Sequence, residues 1–135
     1  MERVNKRLKN LYSALMRLEE SLLTLHNPDA APFREQIRDS VIQRLEFTAD
    51  LFWKCLKDYL EENHSMIVAS PKTVFRESVN QKMMTLQEGK VFEQMIDDRN
   101  DTSHKYDASM TEEIVKRAPI FLEAMNKTIA FSFEK

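Results

Sequence analysis

The stretch Glu2–His26, ERVNKRLKNLYSALMRLEESLLTLH, decides the fold class of this chain. Val4, Leu8, Leu11, Leu15, Leu18, Leu22 and Leu25 recur at alternating steps of four and three, which draws one apolar stripe along a helix over about residues 2 to 26. A stripe of that width is the seam of a helical bundle more often than a free partner-binding helix. Asn27-Pro28-Asp29 then signals a loop.

The same period continues downstream. A second helix is expected from near Pro32 to about Glu62, carrying Ile37, Val41, Leu45, Thr48, Phe52, Leu56 and Tyr59 or Leu60. Between Leu45 and Leu56 large apolar residues fall on more than one face, so this helix should touch several neighbours or a second subunit. Ser70-Pro71 reads as an N-cap and a first-turn proline opening a third helix through about Met84. After a break around Leu86 to Lys90, a fourth helix carries Val91, Phe92, Met95 and Ile96 and leads to Arg99. Ser109-Met110-Thr111-Glu112 matches the S-x-x-E capping box of a last helix, in which Pro119 should produce a kink or a restart. No alternating pattern is long enough for a sheet. The fold expected is all-α, an up-and-down bundle of four to five helices forming one domain over residues 1–135.

Composition narrows the function. The 135 residues are 42% hydrophobic and 31% charged, with a formal net charge of −2, so a surface that coats nucleic acid at large is excluded and any RNA contact should be local. No DNA partner is expected. Gly89 is the only glycine, which excludes glycine-rich phosphate loops of the P-loop and Rossmann kind. His26, His64 and His104 stand far apart without metal-ligand spacing to Cys55, so neither a metal nor another cofactor is expected. The lone cysteine and the lack of an uninterrupted apolar run fit a reducing cytoplasm, with no membrane partner. Cys55 has no activating cation aimed at it and is not expected to be a nucleophile.

Chemistry concentrates in Asp98-Arg99-Asn100-Asp101-Thr102-Ser103-His104-Lys105-Tyr106. Arginine holds its charge at neutral pH and forks onto phosphate, and histidine titrates where proton transfer is needed. Asn100 and His104, four apart, are helical neighbours. Arg99 and His104, five apart, lie about 140° apart around an ideal helix. Convergence therefore requires a distorted helix, a swung arginine, or two copies of the segment meeting across a two-fold axis. The purely structural reading has Arg99 paired with Asp98, Asp101 or a core carboxylate, His104 at a helix C-terminus, and Tyr106 filling a gap. Glu46 fits either a surface acid or the partner of an arginine, and Trp53 either the bundle core or a dimer contact.

The complete word Arg99-Asn100-x-x-x-His104-x-Tyr106 resembles the HEPN superfamily, specifically the HepT-like proteins encoded beside minimal nucleotidyltransferases and also called nucleotidyltransferase substrate-binding proteins. The likeness extends to Asp39-Ser40-Val41-Ile42-Gln43-Arg44-Leu45-Glu46-Phe47-Thr48, to Trp53-Lys54-Cys55-Leu56-Lys57-Asp58-Tyr59-Leu60, and to Ser70-Pro71-Lys72. It departs at Leu45, where the family usually has phenylalanine. The resemblance implies a homodimer with two R-x4-H motifs facing one cleft and a toxin role in a two-gene toxin–antitoxin pair. It implies metal-independent endoribonuclease chemistry with Arg99 on the scissile phosphate, His104 moving a proton and Asn100 assisting. It also implies a minimal nucleotidyltransferase partner that transfers AMP to Tyr106 as the antitoxin. The alternative it leaves is a non-catalytic substrate-binding subunit of a nucleotidyltransferase complex; a helical interaction module with a purely structural motif is the third reading.

Overall fold

The computed structural model describes residues 2–104 and 107–134, with the side chains at 103 and 104 outside that set. Among the described residues there are five α-helices and no strand: α1 (Glu2–Leu25), α2 (Arg34–His64), α3 (Pro71–Asn80), α4 (Leu86–His104) and α5 (Ala108–Phe133). They form the up-and-down bundle expected from the periodicity. Helix α1 buries Val4, Leu11, Leu15, Leu18, Leu22 and Leu25, and its long partner is α2. Asp58 of α2, 3% exposed, sits 2.8 Å from the Arg7 guanidinium and fastens the two helices at one end.

Helix α2 is the hub. Its Phe52 lies 6.2 Å from Phe75 of α3 and 4.6 Å from Phe92 of α4, and those two rings are 5.4 Å apart. This aromatic trio, wholly buried, joins three helices where offset and tilted ring pairs add to the burial of area. Trp53, one residue on, is partly buried against the core with the Lys54 ammonium 5.9 Å from its ring. No described helix is long and apolar enough to cross a membrane.

Several boundaries differ from the expectations. Pro32 belongs to a 3-10 turn over Pro28–Phe33, capped by Asn27 accepting from the Asp29 N–H, and α2 proper starts only at Arg34. Helix α3 ends at Asn80 instead of Met84, because Lys82 takes a left-handed φ of 60° and turns Met83 and Met84 back into the core. Ser70 is extended before Pro71, but its hydroxyl donates to Thr73 Oγ1 instead of accepting from the helix. The expected break over Leu86 to Lys90 is instead the first turn of α4. Thr85 and Glu88 cap each other reciprocally there: the Glu88 N–H donates to Thr85 Oγ1 (3.1 Å) and the Thr85 N–H to Glu88 Oε1 (2.9 Å).

Helix α5 is not opened by the Ser109 box. Asp107, with extended backbone, accepts from the Met110 N–H at 2.8 Å, so capping falls two residues earlier and Glu112 is released for another role. Arg34 grips it with bonds of 2.6 and 2.9 Å, tying the start of α2 to the start of α5. Pro119 neither ends nor restarts α5, which runs through it to Phe133. At the far end Ser132 donates to the Met83 carbonyl, and the Tyr12 hydroxyl donates to Glu134 at 2.5 Å.

Candidate functional site

The C-terminal half of α4 is held from two sides by consecutive residues. Asp98, only 1% exposed, takes a two-point grip from Arg117 of α5 (2.8 and 2.9 Å) and a further bond from Gln94. Arg99, about 100° further round the helix, turns toward α2. Its Nε and Nη2 donate to the two oxygens of Asp50, each at 3.1 Å, and its Nη1 stands 3.5 Å from Glu46. A planar guanidinium against a carboxylate in this side-on geometry is fixed in orientation as well as in charge. Donation to the Asp50 carboxylate raises the Arg99 pKa above its ordinary value, so the cation is permanent.

Arg99 therefore does pair with carboxylates, but with neither Asp98 nor Asp101. The partners come from the middle of α2, and Glu46 is an arginine's partner. Sequence reasoning did not find Asp50; the available signal was two acids four apart, Glu46 and Asp50, in a helix otherwise crowded with large apolar residues. The site remains open to solvent: the Arg99, Glu46 and Asp50 side chains are 26%, 30% and 35% exposed. Asn100 is exposed on the next position of α4.

Helix α4 continues unbroken through His104, which removes a helix break as the means of bringing Arg99 and His104 together. The His104 side chain and all of Tyr106 lie outside the described residues. Among the described residues no group of three His, Cys, Asp or Glu side chains is placed to hold a metal ion. Cys55 is wholly buried, and burial followed by the charge of Asp58 pushes its thiol up to about 12, which keeps it unreactive.

The family description "Nucleotidyltransferase substrate binding protein like" matches residues 6–132. A Thermus thermophilus protein of known structure is 32% identical, with a TM-score of 0.78 over 89% of this chain and 96% of that one. The tri-AMPylated Shewanella oneidensis HEPN toxin, solved in complex with its MNT antitoxin, superposes with a TM-score of 0.78 at 16% identity, over 98% of this chain and 97% of that one. A chain of the MntA–HpeT toxin–antitoxin complex superposes with a TM-score of 0.80 at 14% identity over the full length of both. At such identities these two likenesses speak for the fold, which is that of the HEPN toxins. No curated protein sequence matches significantly.

Proposed function

Because the chain belongs to the family of nucleotidyltransferase substrate-binding-like proteins and shares the fold of HEPN toxins, we propose that it is the HEPN toxin of a toxin–antitoxin pair. In this reading it is an endoribonuclease that a minimal nucleotidyltransferase silences by AMP transfer to Tyr106. The observation that carries the reading is the oriented Arg99 guanidinium, clamped by Asp50 between α4 and α2 and still partly open to solvent, five residues before His104 on the same unbroken helix.

The chemistry asks little of the protein. A ribose 2′-hydroxyl attacks the neighbouring phosphorus, the 2′-O–P bond forms as the P–O5′ bond breaks, one proton leaves the 2′-oxygen and one reaches the 5′-oxygen. His104 is the group suited to that proton traffic, and Arg99 is suited to the charge that gathers on the phosphoryl oxygens. Asn100 shares the helix face of His104 and orients it or the phosphate. Since Arg99 and His104 diverge by about 140° along a regular helix, a two-fold homodimer that sets the Arg99 of one copy beside the His104 of the other is the arrangement in which both reach one phosphate.

Transfer of AMP joins the Tyr106 oxygen to the α-phosphorus of ATP and releases pyrophosphate. The product is an anionic, bulky phosphodiester two residues from His104 in the sequence, and its charge would compete with that of RNA for Arg99. The Shewanella oneidensis toxin of the same fold carries three AMP groups, which supports the assignment by likeness. The purified homodimer should cut RNA in the presence of a chelator, and Arg99→Ala or His104→Ala should abolish the cut without loss of helicity. Equal cleavage by all three proteins would overturn the ribonuclease. Incubation of the pair with ATP should add AMP to the intact mass, and an adduct that persists in Tyr106→Phe would exclude that residue.

One observation favours a second reading. Asp50 and Glu46 already neutralise Arg99, as they would in a non-catalytic subunit that presents itself or a substrate to the nucleotidyltransferase. In that case the two proteins co-purify while RNA survives.

A further inference from the structure

The outer side of the α1–α2 pair carries a groove of about 590 Å³ that neither Arg99 nor Asn100 lines. At its bottom Thr48, fully buried, donates to the Arg44 carbonyl at 2.6 Å and reaches across to the Ala14 carbonyl of α1 at 3.5 Å. A shallower depression of about 300 Å³ continues it toward the other end of the pair, and Arg17, Ser40 and Arg44 line both.

These two arginines differ from most others in the chain. Arg3, Arg7, Arg34, Arg38, Arg99 and Arg117 all have a carboxylate within 4 Å. Among the described residues Arg17 and Arg44 form no such ion pair, although Arg44 is half-buried. Two guanidiniums facing one groove repel each other and retain donors that an anion would satisfy. The remaining walls supply neutral partners: Asn10 and Ser13 from α1, Ser40 and Gln43 from α2. At the rim stands Phe47, 62% exposed, a large aromatic face without a covering neighbour.

We propose that this groove is a phosphodiester-binding subsite for single-stranded RNA, in which Arg17 and Arg44 hold a backbone phosphate and Phe47 offers a stacking face to the adjoining base. Cations lining a groove beside an aromatic platform are the pairing by which proteins hold single strands without reading sequence. The position suits a strand bound for the α4 site, because Phe47 adjoins Glu46, which stands beside Arg99, and Ser40 and Gln43 line the surface that continues from the groove to Glu46. The cluster also reconciles a net charge of −2 with RNA binding: the contact is local, two cations deep. The identity of the ligand rests on the ribonuclease reading; the anion site itself does not.

The test uses the full chain and a fluorescent 2′-O-methyl oligoribonucleotide, which binds but has no 2′-hydroxyl to attack, followed by anisotropy over a salt series. Arg17→Gln with Arg44→Gln should weaken binding about tenfold or more and flatten the slope of log Kd against log salt by about 0.7, the amount for one lost single-strand phosphate contact. Phe47→Ala should weaken it about fivefold or more with the slope unchanged. Arg76→Gln, which removes an exposed arginine of α3 that does not line the groove and has no carboxylate partner among the described residues, controls for overall charge. The subsite is overturned if the wild type does not bind the oligomer, if the double variant loses no more than Arg76→Gln, or if its losses track a change in oligomeric mass or melting temperature. Binding through the groove by a wild type that cuts no RNA would sink the ribonuclease and leave the subsite standing. Cutting by a wild type whose double variant binds equally well would do the reverse.

Discussion

Arg99 on α4 and Asp50 on α2 meet edge to edge, through two hydrogen bonds of 3.1 Å each. The contact joins the helix that carries the motif to the helix that organises the core. Because both side chains are a quarter to a third exposed, water screens the pair and its contribution to stability is about 0.2–1 kcal/mol. Its larger effect is on geometry, since it sets the plane of the guanidinium before any phosphate arrives.

Arg99→Lys should therefore separate charge from orientation. Lysine keeps the cation but cannot make two parallel bonds to Asp50. Cleavage by the lysine variant should fall about 100-fold or more, with a shift in urea midpoint equivalent to less than about 1 kcal/mol. Cleavage within a few-fold of wild type would show that charge alone suffices.

The neighbouring pair should behave in the opposite way. Asp98 is almost fully buried against Arg117, so Asp98→Asn leaves a guanidinium facing a site from which its counter-charge has gone. Removing one member of a buried pair costs about 3–5 kcal/mol, and the partial exposure of Arg117 lowers that to about 2–3 kcal/mol. Urea denaturation should rank Asp98→Asn well below Arg99→Ala in stability. The reverse order would mean that α4 is anchored mainly by α2.

Glycine placement makes a paired prediction. Gly89 lies inside α4, where a Cβ would come within 2.8 Å of Val79 Cγ2, while the left-handed position that closes α2 is occupied by Ser65, at φ 54°. Gly89→Ala should miss the roughly 1 kcal/mol that alanine normally brings to a helix and lose about 1 kcal/mol instead. Val79→Ala should restore it in the double variant. Ser65→Gly should stabilise by about 0.5–1 kcal/mol, since a left-handed φ is no strain for glycine. Thermal melts of the four proteins would check the signs.

Tyr12 provides a pH readout of how the chain's two ends are joined. Burial and then its hydrogen bond to Glu134 push the phenol up to about 12 from an ordinary 10. A raised acid is held neutral by the fold, so its contribution is fully present below pH 10 and is lost as pH rises through about 12. Phenolate absorbance should contain a late-ionising component near pH 12 in the wild type that Tyr12→Phe removes. Glu134→Gln should bring Tyr12 back toward its ordinary value; an unchanged titration would mean that burial alone raises it.

The sequence by itself determined the helical architecture, because helical periodicity is local: the α1 stripe from Val4 to Leu25 is the buried seam, and the crowded faces of α2 are buried against the four other helices. It also supplied the reactive word from Arg99 to Tyr106, since residue identity and order need no coordinates. The helix ends were less legible. Asp107 and Ser109 are both competent caps, and backbone geometry chose the first; Thr85 and Glu88 form a capping box at the place where the pattern suggests a break, around Leu86 to Lys90. Only the tertiary structure decided which acid meets Arg99, for Asp98 and Asp101 are close in sequence while Asp50 is close in space. The physical reason is that a helix aims adjacent side chains about 100° apart, so Asp98 and Arg99 must find their partners on different neighbours, α5 and α2. The pairing of Arg17 with Arg44 across α1 and α2 was hidden for the same reason.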